Sequence, residues 1–190
     1  MIKQAVYYFE KPGPENTEKV IEVVRERYTR GDIQYVVVAS TSGKTARKFK
    51  NALAKNRVRF VFVTEHAGFT EGDKIDLDPA IRDELKSAGI PVVQASHVLS
   101  GIGRSIGKKF GGTTEVEMIA HTLRLLSQGT KVAVEISVMA ADAGVITTDK
   151  NIIAVAGTGS GSDTAIVLHP VHMNNFFDLK IQEILAKPLL

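Results

Sequence analysis

Val36-Val37-Val38-Ala39-Ser40-Thr41-Ser42-Gly43-Lys44-Thr45-Ala46-Arg47 decides the fold. The apolar run Ile33–Ala39 is rich in β-branched residues and does not alternate with polar ones. That is the pattern of a strand buried on both faces of a parallel sheet. The run stops at a polar turn, Ser40–Thr45, and a basic helix is predicted over Ala46–Asn56. A strand, a hydroxyl-rich turn with glycine, and a helix start together make an anion site. Free N–H groups of the first helical turn point at the ligand, and the helix dipole favours negative charge. Ser40, Thr41, Ser42, Gly43, Lys44 and Thr45 are the candidate phosphate ligands, at the carboxyl end of a strand where such folds place ligands. An ordinary hydroxyl-capped helix would share the pattern. A Walker A loop would not, because its first glycine should fall at position 38, which is Val38.

Outward from this stretch, strand-like and helix-like segments alternate. Strands are predicted over Gln4–Phe9, Ile33–Ala39, Val58–Val63, Ile90–Ala95, Asn151–Ala156 and Thr164–Leu168. Helices are predicted over Glu15–Arg30, Ala46–Asn56, Pro79–Ala88, Thr113–Ser127, Thr130–Ala143 and Asp178–Ala186. Ser100–Gly112 holds five of the sixteen glycines and reads as a loop or a broken helix. The alternation implies an α/β fold, a three-layer sandwich around a mainly parallel sheet. The Gly157–Ser162 turn between two strands implies a hairpin and hence an antiparallel edge. A length of 190 residues with no linker, repeat or low-complexity tract is read as one domain over 1–190.

Composition narrows the function. With no cysteine there is no disulfide, thiolate nucleophile, iron–sulfur ligation or cysteine-based zinc site. The five histidines show no metal-ligand spacing, so no metal is expected. Net charge is +3, without a polybasic run and without tryptophan, so nucleic acid is not an expected partner. No stretch reaches the roughly 18 apolar residues of a membrane span, and the amino-terminal residues carry no secretion signal, so a cytoplasmic location is expected. Gly101-Ile102-Gly103-Arg104-Ser105-Ile106-Gly107 has one residue too many for a dinucleotide fingerprint, and no G-x-S-x-G elbow marks a hydrolase.

A second glycine-rich stretch is Gly157-Thr158-Gly159-Ser160-Gly161-Ser162. Such a turn presents N–H groups to an anion, or serves only as a flexible hairpin. The two segments together resemble the C-terminal α/β domain of pyruvate kinase. Strand-Ser-Thr-Ser-Gly-Lys-Thr-Ala followed by a basic helix is similar to one of that domain's loops. The later order of strand, Gly-Ser-Gly turn, threonine and strand is similar to another. The resemblance spans roughly Glu15–Val171 and is loose around Glu65–Asp76 and Ser100–Thr130. Pyruvate kinase chemistry resides in an α/β barrel of about 250 residues, for which this chain has no room, so that activity is not expected.

The chain looks like the archaeal-type stand-alone proteins that carry only this domain and are associated with flavin mononucleotide (FMN). The resemblance therefore implies FMN as cofactor, with a flavin-dependent oxidoreductase as the enzymatic reading. Its phosphate would lie on Ser40–Thr45 and be closed over by Gly157, Gly159 and Ser160. Glu65, His66, Gly112 and Thr113 follow neighbouring elements and would meet the ring, the helix starting near Thr113 aiming N–H groups at it. His97 is a further cleft residue on the same reasoning. The alternative is a non-catalytic sensor of a small phosphorylated metabolite, a sugar phosphate or nucleotide, using the same loops. A phosphate-ester enzyme using Lys44 and a histidine is a third reading. The family tends to self-associate, so a homo-oligomer is implied. Both leading readings require Lys44→Ala and Gly43→Asp to weaken binding.

Overall fold

The computed structural model describes Met1 and residues 3–189. Seven strands form one sheet: β1 (Tyr7–Phe9), β2 (Val36–Ala39), β3 (Phe60–Thr64), β4 (Val92–Gln94), β5 (Ile152–Ala156), β6 (Thr164–His169) and β7 (Lys180–Pro188). Their order across the sheet is β1-β7-β6-β5-β2-β3-β4. β2 pairs in parallel with β3 and with β5, and β3 with β4. The β5–β6 and β6–β7 pairings are antiparallel, and β1 runs parallel to β7. The fold is thus α/β with a mostly parallel sheet, its antiparallel pairings gathered toward one side.

Alternation along each strand sorts side chains onto two cores. Val36 and Val38 face one core with Phe62, Ile153 and Val155. It is covered by α1 (Thr17–Tyr28), α2 (Lys44–Ala52) and α3 (Pro79–Ser87) through Val20, Val24, Phe49, Ile81 and Leu85. Val37 faces the other with Val61, Ile152, Ala154 and Ile166. That core is covered mainly by α6 (Gln128–Asp142), which buries Ala133, Ile136 and Ala140, with Ala120 of α5 (Glu115–Arg124) beside it. The expected three layers are present. α6 is buried from Gly129 to Ala141 except at Val132, as the Thr130–Ala143 pattern requires of a core helix.

Two expectations are corrected. Ser100–Gly112 is neither loop nor broken: Gly101–Phe110 is a continuous helix, α4. Its inner glycines sit where α5 comes close, since a Cβ at Gly103 would lie 2.8 Å from Thr114 Oγ1. The helix predicted over Asp178–Ala186 is β7, entered through a 3₁₀ turn at Met173–Asp178. Ile181, Ile184 and Leu185 are spaced as on a helix, but two register shifts against β6 explain that spacing. Each shift leaves an extra residue on β7, so the two-residue period breaks. The slot between β6 and β1 then supplies ladder partners on both edges, which local helix propensity cannot match. Other boundaries shift by a few residues in either direction: the first strand is Tyr7–Phe9 rather than Gln4–Phe9, whereas α2 and α6 each start two residues earlier than expected.

Arg27 ties α1 to this side of the sheet. It is buried, and its guanidinium contacts Asp32 at 2.6 Å and Glu183 of β7 at 2.7 Å. Among the described residues no helix is long and apolar enough to cross a membrane.

Candidate functional site

The chain runs from β2 to β3 to β4 on one side and resumes on the other side of β2 as β5. Loops leaving the carboxyl ends of β2 and β5 therefore diverge and leave a crevice, the place where open α/β sheets bind ligands. A cavity of about 370 Å³ lies there. The segment after β2 contributes Ser40, Thr41, Ser42 and Thr45, and the turn after β5 contributes Gly157, Gly159, Ser160 and Gly161. Glu65 and Phe69 after β3, and Gln128 and Val132 of α6, complete the wall.

The first loop is held rigidly. Ser40 is buried and its Oγ accepts from Ala46 N at 3.1 Å. Thr64 Oγ1 donates to the Thr41 carbonyl at 2.9 Å, and Asp78 N donates to the Ser42 carbonyl at 3.3 Å. Gly43 turns the chain into α2 with φ +85°, and a Cβ there would meet Ile81 Cγ2 at 2.7 Å. Among the described residues the backbone N–H groups from Thr41 to Thr45 have no protein partner. Those of Lys44 and Thr45 are orphan donors of the helix start, and those of Thr41, Ser42 and Gly43 belong to the turn before it.

The second loop is built around Asp163, which is fully buried. Its Oδ2 accepts from Gly13 N at 3.1 Å and Thr158 N at 3.0 Å, and its Oδ1 accepts from Thr164 Oγ1 at 2.7 Å. Ser162 N donates to Thr17 Oγ1 at 3.0 Å, which docks the turn on the start of α1. Gly161 has φ +68°, and a Cβ would sit 2.5 Å from Pro14 Cα.

The crevice continues inward into a chamber of about 140 Å³ that shares Ser40, Thr41, Glu65, Phe69 and Gln128 with the outer one. Its further walls carry Arg104 of α4, Arg124 of α5, Lys131 and Glu135 of α6, and His97 after β4. Lys131 and Glu135, one helical turn apart and both buried, form an ion pair. The other Glu135 oxygen accepts from Leu99 N at 2.8 Å. Arg124 Nε donates to Gln128 Oε1 at 2.7 Å. The Arg104 guanidinium lies 5.5 Å from the Phe69 ring centre. His66, Phe69 and His97 pack edge to face.

Burial pushes the Glu65 carboxyl above its ordinary range, and its Oε2 is buried with no hydrogen-bond partner among the described residues. Burial likewise lowers Lys131, with Arg124 and Arg104 adding to the effect and Glu135 opposing it. Burial also lowers His97, which is therefore neutral at pH 7.

Of the candidate residues, Ser40, Thr41, Ser42, Thr45, Glu65, Gly157, Gly159 and Ser160 line one cavity. The others do not line the crevice. Gly43 is buried against Ile81 and serves the backbone turn, while Lys44 is exposed. His66 packs on Phe69 and His97 rather than in the wall. Gly112 and Thr113 are exposed between α4 and α5. The helix start near Thr113 is closed on itself, because Glu117 Oε2 accepts from Thr114 N at 3.0 Å and Thr114 Oγ1 accepts from Glu117 N at 3.4 Å.

Sequence reasoning missed Phe69, Gln128, Arg124 and Lys131 as wall residues. One signal was available: Lys131 and Glu135 stand four apart within an otherwise apolar helix, which marks a buried pair. Among the described residues no group of three metal-ligating side chains comes together.

Fold and crevice define an α/β domain with a cavity at the switch point of its sheet. The family model for the pyruvate kinase alpha/beta domain matches residues 18–168, most of the chain. The protein belongs to that family. Among solved structures it is similar to an NH3-dependent NAD synthetase from Campylobacter jejuni subsp. jejuni NCTC 11168, in complex with the nitrate ion. Identity is 20% and the TM-score 0.34, over 58% of this chain and 47% of that one. This chain thus matches about half the length of that structure.

Proposed function

We propose that the protein binds FMN in the crevice, its phosphate held by the loop after β2 and covered by the turn after β5. The observation that carries this is a cavity lined on one side by Thr41, Ser42 and Thr45, whose N–H groups have no protein partner among the described residues, and on the other by the glycine-rich turn. The residues fit such a group. A Cβ at Gly157 would lie 2.7 Å from the Gly161 carbonyl, so the turn is compact enough only with glycine. Ala39, Phe69 and Val132 offer apolar wall to a ring, and Glu65 and Gln128 offer polar contacts. A cavity of about 370 Å³ falls within the usual range for small-ligand sites. Bound flavin would supply redox chemistry, while the chain supplies position and electrostatics.

The test is titration of FMN into flavin-free protein, followed by absorbance and fluorescence, with Ser42→Asp as the variant. A carboxylate facing the phosphate costs several kcal/mol at the dielectric of a protein surface, so affinity is expected to fall by more than about tenfold. Ser42 does not have the left-handed backbone of Gly43, so the variant keeps the loop. Saturable, one-to-one binding that Ser42→Asp leaves unchanged would show that the phosphate lies elsewhere. The sensor of a sugar phosphate or nucleotide, using the same two loops, is the second reading. Stabilisation by those ligands, with no uptake of FMN, would put it first.

A further inference from the structure

The inner chamber holds a feature that a phosphate at the outer loop does not use. Lys131 is buried, and its ammonium has three N–H donors. Among the described residues only Glu135 accepts from it, through one oxygen, while the other Glu135 oxygen accepts from Leu99 N. Arg124 spends its Nε on Gln128, a neutral acceptor, and neither Arg124 nor Arg104 forms an ion pair among the described residues. These cations come from three different helices and converge on one small space. Like charges gathered in this way repel one another unless an anion joins them.

We propose that this chamber binds the carboxylate of a small monocarboxylic acid, held by Lys131, Arg124 and Arg104. Charge selects the monoanion. Three cations face two carboxylates, Glu65 and Glu135, which leaves an excess of one positive charge, while neutral His97 adds none. A phosphate dianion would be overcharged there. Size points the same way, since about 140 Å³ is the room of four or five waters at roughly 30 Å³ each. That space matches an acid of a few carbons. Planar guanidinium groups bind carboxylates through paired N–H donors, and the buried ammonium adds a point charge. The chamber opens into the outer cavity, so the acid would lie beside the phosphorylated ligand. The site rests on these side chains and stands whether or not that ligand is FMN.

The experiment is calorimetric titration of flavin-free protein with acetate and pyruvate, with succinate and inorganic phosphate as comparisons. Wild type, Arg124→Gln, Arg104→Gln and Ser42→Asp are compared, and circular dichroism verifies that each is folded. Both arginines are partly or fully exposed, so their replacement spares the core. The monocarboxylates are expected to bind at millimolar concentration or better. Arg124→Gln should weaken them by about tenfold or more, the value of a charge-assisted hydrogen bond, whereas Ser42→Asp should not. FMN should show the reverse dependence. Failure of FMN to bind, with carboxylate binding still dependent on Arg124, would remove the flavin reading and keep this one. No monocarboxylate binding to wild type, binding indifferent to both arginines, or preference for phosphate at the arginine site would overturn it.

Discussion

Removing the carboxylate of Asp163 should unmake the glycine-rich turn, and the size of the effect follows from its three hydrogen bonds. In Asp163→Ala the N–H of Gly13, which is buried, is stranded at the cost of a full desolvation, about 3 kcal/mol. The N–H of Thr158 is only partly buried and recovers water, at about 1 kcal/mol or less. The Thr164 hydroxyl retains Ser127 Oγ at 3.2 Å and adds little. The expected loss is therefore about 3–4 kcal/mol, a large share of the roughly 5–15 kcal/mol that a domain has. For a chain of this length it should lower the melting temperature by roughly 6–16 °C. Asp163→Asn keeps one oxygen toward the two N–H groups and turns its amide to Thr164, so it should cost only about 1 kcal/mol. Urea unfolding read by circular dichroism measures both variants, and FMN titration reads the turn directly. An alanine variant within about 1 kcal/mol of wild type, or an asparagine variant as damaged as alanine, would refute the view that geometry rather than charge holds the turn.

Gly161→Ala forces a side chain onto φ +68° and places its Cβ 2.5 Å from Pro14 Cα. It should cost about 2 kcal/mol in urea unfolding and weaken FMN, with unchanged values refuting the close approach. Stability should fall in acid through the Arg27 cluster. Hydrogen bonds from Arg27 hold Glu183 and Asp32 below their ordinary range, so their contribution is present above about pH 4 and is lost as pH falls through the depressed values. Asp32 is more exposed and contributes less, so Glu183→Gln should flatten most of this acid dependence in urea midpoints measured across that range.

Where a feature depends on neighbours in the chain, the sequence was legible. Val36–Thr45 announced a buried strand, a turn and a helix start, and all three are present: the strand ends at Ala39 as expected, and the helix starts two residues earlier than expected, at Lys44. The hairpin at Gly157–Ser162 was likewise visible, because its glycines and hydroxyls are a local turn signal. The two loops that line the crevice were legible for the same reason. At Gly112 and Thr113 the following helix start is closed by its own capping box, and these residues lie away from the crevice. Lys44 was not legible because the direction of a side chain at a helix start depends on how the helix rolls against the sheet.

The sequence by itself determined the class of fold, the parallel centre of the sheet and the two loops, since periodicity and turn chemistry are written in adjacent residues. Only the tertiary structure decided that residues 180–188 form a strand, because the deciding partners are the edges of β6 and β1. Only it brought Arg104, Arg124 and Lys131 to one chamber. Such a convergence is a property of packing: each side chain lies on a different helix, and no local pattern carries the charge that the others will place beside it.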